Sequence, residues 1–119
     1  MTPETWTKAK PLIEAAIARG LPTHTADDVR ADIDAGRQQL WCAGETAIVT
    51  EIVTFPRMKA CRVVYVAGRM ADVERLKPEI EGWARGEGCG FMLAGGRKGW
   101  VRTLRDYFVT AHLLAKEII

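Results

Sequence analysis

The chain has 119 residues, 48% apolar and 27% charged, which is ordinary usage for one globular domain and excludes a disordered, collagen-like or coiled-coil chain. Seventeen Lys and Arg against fifteen Asp and Glu leave a formal net charge of +2. That balance argues against a dedicated nucleic-acid binder, which needs a strong basic excess or stripe. No apolar run approaches the ~20 residues of a bilayer span, and the N-terminal MTPETWTKAK has no apolar core, so a secretory signal is not expected.

In chain order, Trp6, Ala9, Ile13, Ala16 and Ile17 recur at helical steps and end at Arg19-Gly20, a basic residue followed by a glycine stop. Pro11 either kinks this helix or marks its true first turn. Thr25 and Asp28 form a T-x-x-D start for a second helix, with Val29 and Ile33 as its apolar stripe and Gly36 as its stop. The pattern then turns to strands at 38–43, 46–55 (TAIVTEIVTF, β-branched almost throughout) and 60–67, joined by Gly44-Glu45 and by 56–59, which makes an antiparallel meander. Val73, Leu76, Ile80, Trp83 and Ala84 mark a third helix, which Pro78 is expected to bend or divide and Gly86 and Gly88 to end. A short strand at 90–94, a helix at about 98–106 and a final strand at 107–115 complete a βαβαβ run. The crossovers imply parallel pairing, so the fold class is α/β in the broad sense: an α+β mixed sheet in a single domain, 1–119, with helices on both faces.

Cys42, Cys61 and Cys89 form no CxxC pair, so no structural zinc site is expected, and each reads as a small buried hydrophobe. Only His24 and His112 are available to partner a thiolate, and neither has another ligand nearby in sequence, so no metal is expected. Trp41 and Trp83 read as core; Trp6 and Trp100 sit near element starts and read as exposed interface anchors.

The stretches DDVRADIDAGRQQLW (27–41), VTEIVTFPR (49–57), IEGWARGEGC (80–89) and GRKGWVRTL (96–104), in the order ααβββαβαβ, resemble the GCN5-related N-acetyltransferase (GNAT) family. They are most similar to small GNAT-like proteins of tailed bacteriophages and prophages. The resemblance implies an acetyl-CoA site with a Q/R-x-x-G-x-G/A loop opening the third helix, where backbone N–H groups and the helix N-terminus hold pyrophosphate. The matching positions run from Arg69 to Glu74, and only Arg69 fits. Asp72 and Glu74 stand where the glycines belong, their charges oppose pyrophosphate, and they read as first-turn residues that satisfy the helix dipole themselves. The resemblance also implies a strand-borne carboxylate as general base, for which Glu51 is the candidate, and a tyrosine acid late in the chain, for which Tyr107 is the candidate at an ill-fitting spacing. Pairing of Glu51 with Arg62 or Arg57 is the plainer expectation for that carboxylate.

The remaining cluster is basic: Arg97, Lys98, Arg102 and Arg105, with Trp100 among them. It reads as a solvated helix face, as a surface for a protein or anionic partner, or as the one basis for a third reading, a small regulator that binds nucleic acid. Together these features lead to the expectation of a GNAT-like phage protein that holds no cofactor and acts by contact with other virion proteins or with itself, in the virion or host cytoplasm. An N-acetyltransferase using acetyl-CoA at an atypical loop is the alternative.

Overall fold

A computed structural model describes residues 1–95 and 104–118. Three helices, α1 (Pro3–Ala18), α2 (Ala26–Asp34) and α3 (Met70–Gly86), accompany four strands, β1 (Gln38–Ala43), β2 (Thr46–Thr54), β3 (Lys59–Ala67) and β4 (Phe91–Ala94). The sheet order is β1-β2-β3-β4; the first three strands are antiparallel neighbours and β4 runs parallel to β3. The expected meander and the parallel crossover through α3 are both present.

The local signals act as their chemistry predicts. The Thr2 hydroxyl accepts from the Thr5 amide and Pro3 takes the first helical position of α1, where a missing N–H costs nothing. Pro11 therefore lies inside α1, not at its start. At α2 the capping box is complete: the Asp28 amide donates to Thr25 Oγ1 at 3.2 Å and the Thr25 amide to Asp28 Oδ2 at 2.9 Å. The bond from the Thr25 amide first, and then the Thr25 hydroxyl, lower the Asp28 carboxyl from its usual value. Pro78 does not divide α3, which runs unbroken through it.

Alternation along β2 builds two cores, one on each face. Ala47 and Val49 join Trp6, Ala9, Ile13 and Val29 beneath α1 and α2. Ile48 joins Cys61, Val73, Leu76, Ile80 and Ala84 beneath α3. Trp6, 5% exposed, is thus a core residue rather than an exposed anchor, with the Arg30 guanidinium 5.6 Å from its ring centre. Trp41 and Trp83 pack edge to face on the α3 side, 5.6 Å between ring centres. Cys61 is buried and Cys89 half-buried, whereas Cys42 is exposed, against expectation.

The C-terminal part departs from the sequence reading. Residues 104–118 form neither helix nor strand, so the strand expected at 107–115 is absent from this chain's own sheet. Most of the helix expected at 98–106 lies outside the described residues; Arg105 and Asp106 form a turn.

Ile13 is 1% exposed at the centre of the α1–α2 core. Ile13→Ala is expected to destabilise the domain by about 2–5 kcal/mol, read as a lower urea midpoint at unchanged slope.

Candidate functional site

The site begins where the β3–β4 ladder stops. The two strands pair over Ala60–Phe91, Cys61–Met92, Arg62–Leu93 and Val63–Ala94, while β3 continues to Ala67. A bulge lies at the same level: Val49 faces Tyr65 and Thr50 faces Val63, so Val64 is the extra residue on β3. A bulge bends its strand and re-aims its side chains, and here both Val64 and Tyr65 pack toward α1 and α2.

A cavity of about 360 Å³ opens in the gap. Ala16 of α1 and Arg19 at its C-cap line it from one face of the sheet, and Val73, Lys77 and Ile80 of α3 from the other, so it is a slot spanning the sheet's thickness. Its walls are mostly apolar, and Lys77, Glu81 and Tyr107 supply polar groups. The Tyr107 hydroxyl donates to Glu81 Oε2 at 3.3 Å. Lys77 Nζ donates to Asp106 Oδ1 and stands 5.4 Å from the centre of the Tyr107 ring. The Asp106 bond raises the Lys77 ammonium and lowers the Asp106 carboxyl. Burial first, then the Glu81 charge, pushes the Tyr107 phenol well above its usual 10.0. Tyr107 is therefore an O–H donor fixed on Glu81, in the slot, although its spacing in the sequence fits the family pattern poorly.

The loop opening α3 lies next to the β1–β2 turn. Gly68 has φ +133°, and a Cβ there would fall 2.2 Å from Thr46 Oγ1, so only glycine fits. Thr46, 1% exposed, accepts from the Arg69 amide at 2.7 Å and donates to Asp72 Oδ2 at 2.8 Å. Asp72 thus spends its carboxylate on the β1–β2 turn. The N-cap residue of α3, Arg69, makes no side-chain cap, and Asp72 stands in the first turn as the dipole reading expects. The charge of Asp72 still sits at the helix start, with Arg75 4.0 Å away. Arg69 and Glu74 are exposed.

Glu51 lies opposite Arg62 in the β2–β3 register. Its Oε1 accepts from Arg62 Nε at 2.8 Å and from Nη2, and Gln38 Nε2 approaches its Oε2 at 3.4 Å. Of the two expected arginine partners, Arg62 is the one. Glu51 does not line the slot, so the two sequence candidates for base and acid are not brought together. His24 Nδ1 meets Thr23 Oγ1 at 2.8 Å and lies 3.4 Å from the Tyr65 hydroxyl. Among the described residues no group of three His, Cys, Asp or Glu can hold a metal ion, and no helix is long and apolar enough to cross a membrane. Arg97, Lys98, Trp100 and Arg102 lie outside the described residues.

Lys77, Glu81 and Glu51's partner are in plain view in the sequence, but only Arg62 carries a signal, through cross-strand pairing. Lys77 and Glu81 are spaced i, i+4 like many surface pairs, and nothing local marks that spacing as one side of a slot.

No family profile matches the chain, and no curated protein matches it in sequence. Solved structures do match in fold. Wild-type TTHA1254 of Thermus thermophilus superposes with a TM-score of 0.67 at 15% identity, over 100% of this chain and 94% of that one. A probable acetyltransferase gives 0.67 at 9% identity over 98% and 97%. A transcriptional regulator of Bacillus halodurans C-125 gives 0.58 at 14% over 100% and 96%. The fold is therefore GNAT-like, a mixed α+β domain with three helices and four strands among the described residues.

The raised Tyr107 phenol has a measurable consequence. Its folded value lies above its unfolded one, so its contribution to stability is whole below pH 10 and is lost as pH rises further, where only the unfolded chain releases the proton. In an ultraviolet titration, the difference between wild type and Tyr107→Phe is expected to show one phenol ionising above 10.

Proposed function

We propose that this chain is a GNAT-like domain that acts by protein–protein contact, without acetyl-CoA-dependent catalysis. The start of α3 carries the reading. There the Asp72 carboxylate is locked on Thr46 at 2.8 Å, beside the amides that a pyrophosphate would need. A like charge at ~4 Å opposes an anion by about 1 kcal/mol even in bulk water and by more near a protein surface. The candidate base, Glu51, is ion-paired with Arg62 and away from the slot. The similarity of 27–41, 49–57, 80–89 and 96–104 to small tailed-phage proteins supports a place in the virion, as an accessory or internal component, or in the host cytoplasm.

One observation favours a second reading, an N-acetyltransferase with an atypical cofactor loop. The β3–β4 gap holds a slot with a phenol donor, Tyr107, in its wall.

A melting scan with millimolar acetyl-CoA separates the two. A ligand at 100 times its Kd stabilises the native state by about 2.7 kcal/mol, on the order of 10 °C for a domain of this size. No shift is expected. A shift of that size that is abolished in Arg69→Glu overturns the cofactor-free reading and favours the acetyltransferase. Abundant peptides of this chain in purified particles of the source phage are the expected result for the virion setting.

A further inference from the structure

The polar groups of the slot are unevenly paired. On the α3 side they are bonded to one another and to their neighbours: Lys77 to Asp106, and Tyr107 to Glu81. On the α1 side the slot is lined by Arg19, and among the described residues nothing bonds or pairs with its guanidinium. The last turn of α1 does not need that side chain, because the Arg19 and Gly20 amides already donate to the Ala16 and Ile17 carbonyls. Arg19 and Gly20 are both exposed, so the slot meets solvent beside a cation with no partner among the described residues.

Charge and size narrow what fits. The charged lining residues are Arg19, Lys77 and Glu81, two positive against one negative, which opposes a cation and favours an anion. Between the two ends the walls are branched and aliphatic, Ile48, Val63, Val73 and Ile80 among them, so they suit an apolar body. The cavity has about 360 Å³. At about 30 Å³ for each heavy atom with its hydrogens, the share that a water molecule takes, it holds on the order of a dozen such groups. An unbranched chain of about ten carbons ending in a carboxylate has that size, and its thin body matches a gap between two strands.

We propose that the slot binds a medium-chain aliphatic monocarboxylate, with the carboxylate on the Arg19 guanidinium at the α1 face and the hydrocarbon chain running between β3 and β4 toward Ile80. A guanidinium presents paired N–H donors that match the two oxygens of a carboxylate. The chain exchanges water for the apolar walls. The ligand is the free acid, because an ester head carries no charge for Arg19 to hold. That head lies on the opposite face of the sheet from α3, so the Asp72 carboxylate held on Thr46 at the start of that helix does not oppose it. The inference goes beyond the contact reading and does not depend on it.

Calorimetric titration of the full chain with submicellar decanoate is expected to show a single site. From hexanoate to decanoate, each added methylene is expected to tighten binding by about fourfold, the equivalent of its transfer out of water. Beyond about ten carbons the gain is expected to stop, because the slot is then full. Decanol, which lacks the charge-assisted bond, is expected to bind about tenfold more weakly than decanoate. Arg19→Gln is expected to remove that difference and to melt with the wild type, since Arg19 is exposed at a helix end. A measurement without variants places the ligand: the methyl resonances of Ile48, Val73 and Ile80 are expected to shift along the same isotherm. No binding, an acid preference that survives Arg19→Gln, an affinity indifferent to chain length, or shifts confined to the exposed Leu113, Leu114 and Ile118 overturns the acid site. The acetyl-CoA scan keeps the two readings apart. Absence of decanoate binding without an acetyl-CoA shift overturns the acid site and leaves the contact reading. An acetyl-CoA shift beside Arg19-dependent decanoate binding keeps the acid site and overturns the cofactor-free reading.

Discussion

The structure depends on how β3 divides its hydrogen bonds. Toward β2 it pairs from Lys59 to Ala67, with one bulge at Val64; toward β4 it pairs through four residues and stops at Val63. A backbone group inside a domain needs a partner or water, so a ladder that ends early on one side leaves space there. That space is the slot. The same short ladder leaves β4 only four residues long, with an outer edge that no described residue pairs. The two helical layers are set by the alternation on β2, but the feature that could hold another molecule is set by where β4 ceases to follow its neighbour.

At the mouth of α3 the physics works against an anion. Helix N-termini attract phosphate because the first amides are unpaired and the dipole is positive there. Here the Arg69 amide is committed to the buried Thr46 hydroxyl, and that hydroxyl in turn holds Asp72. Gly68 and Gly44 both have positive φ and both lie against this group: one would place a Cβ on Thr46, the other against the Asp72 carboxylate. The glycines at this end of the sheet therefore serve the packing of the β1–β2 turn against α3.

Much of this is legible in the sequence. The β-branched run of β2, the T-x-x-D box of α2 and the three- and four-residue steps of α3 each specify an element by local chemistry, and those elements fall within a residue or two of expectation. Glu51 and Arg62 can be paired because cross-strand neighbours follow from the hairpin. The differences arise where tertiary context decides. Nearness to a helix start suggests exposure for Trp6, yet its position one turn before Ala9 and two before Ile13 places it on the buried face. A linear reading assigns the Asp72 carboxylate to its own helix, since nothing in it shows that Thr46, 26 residues earlier, lies within 2.8 Å. Spacing alone discounts Tyr107, and its place in the slot depends on a turn that carries no periodic signal. The alternation at 107–115 is real, yet these residues form no strand, so alternation alone does not specify one.

Tyr107 links the slot to the open edge. Its hydroxyl is tied to Glu81, and the adjacent Asp106 to Lys77, so the last fixed point of the described chain is a wall of the slot. The exposed segment starts at the next residue. A molecule that entered the slot deeply enough to take the Glu81 carboxylate would have to replace the Tyr107 bond, and would thereby release the root of the segment beyond it. By linkage, any free energy that one event takes from that contact is felt equally by the other. The wall of the slot and the root of residues 108–118 thus share two side-chain bonds on a single face of α3.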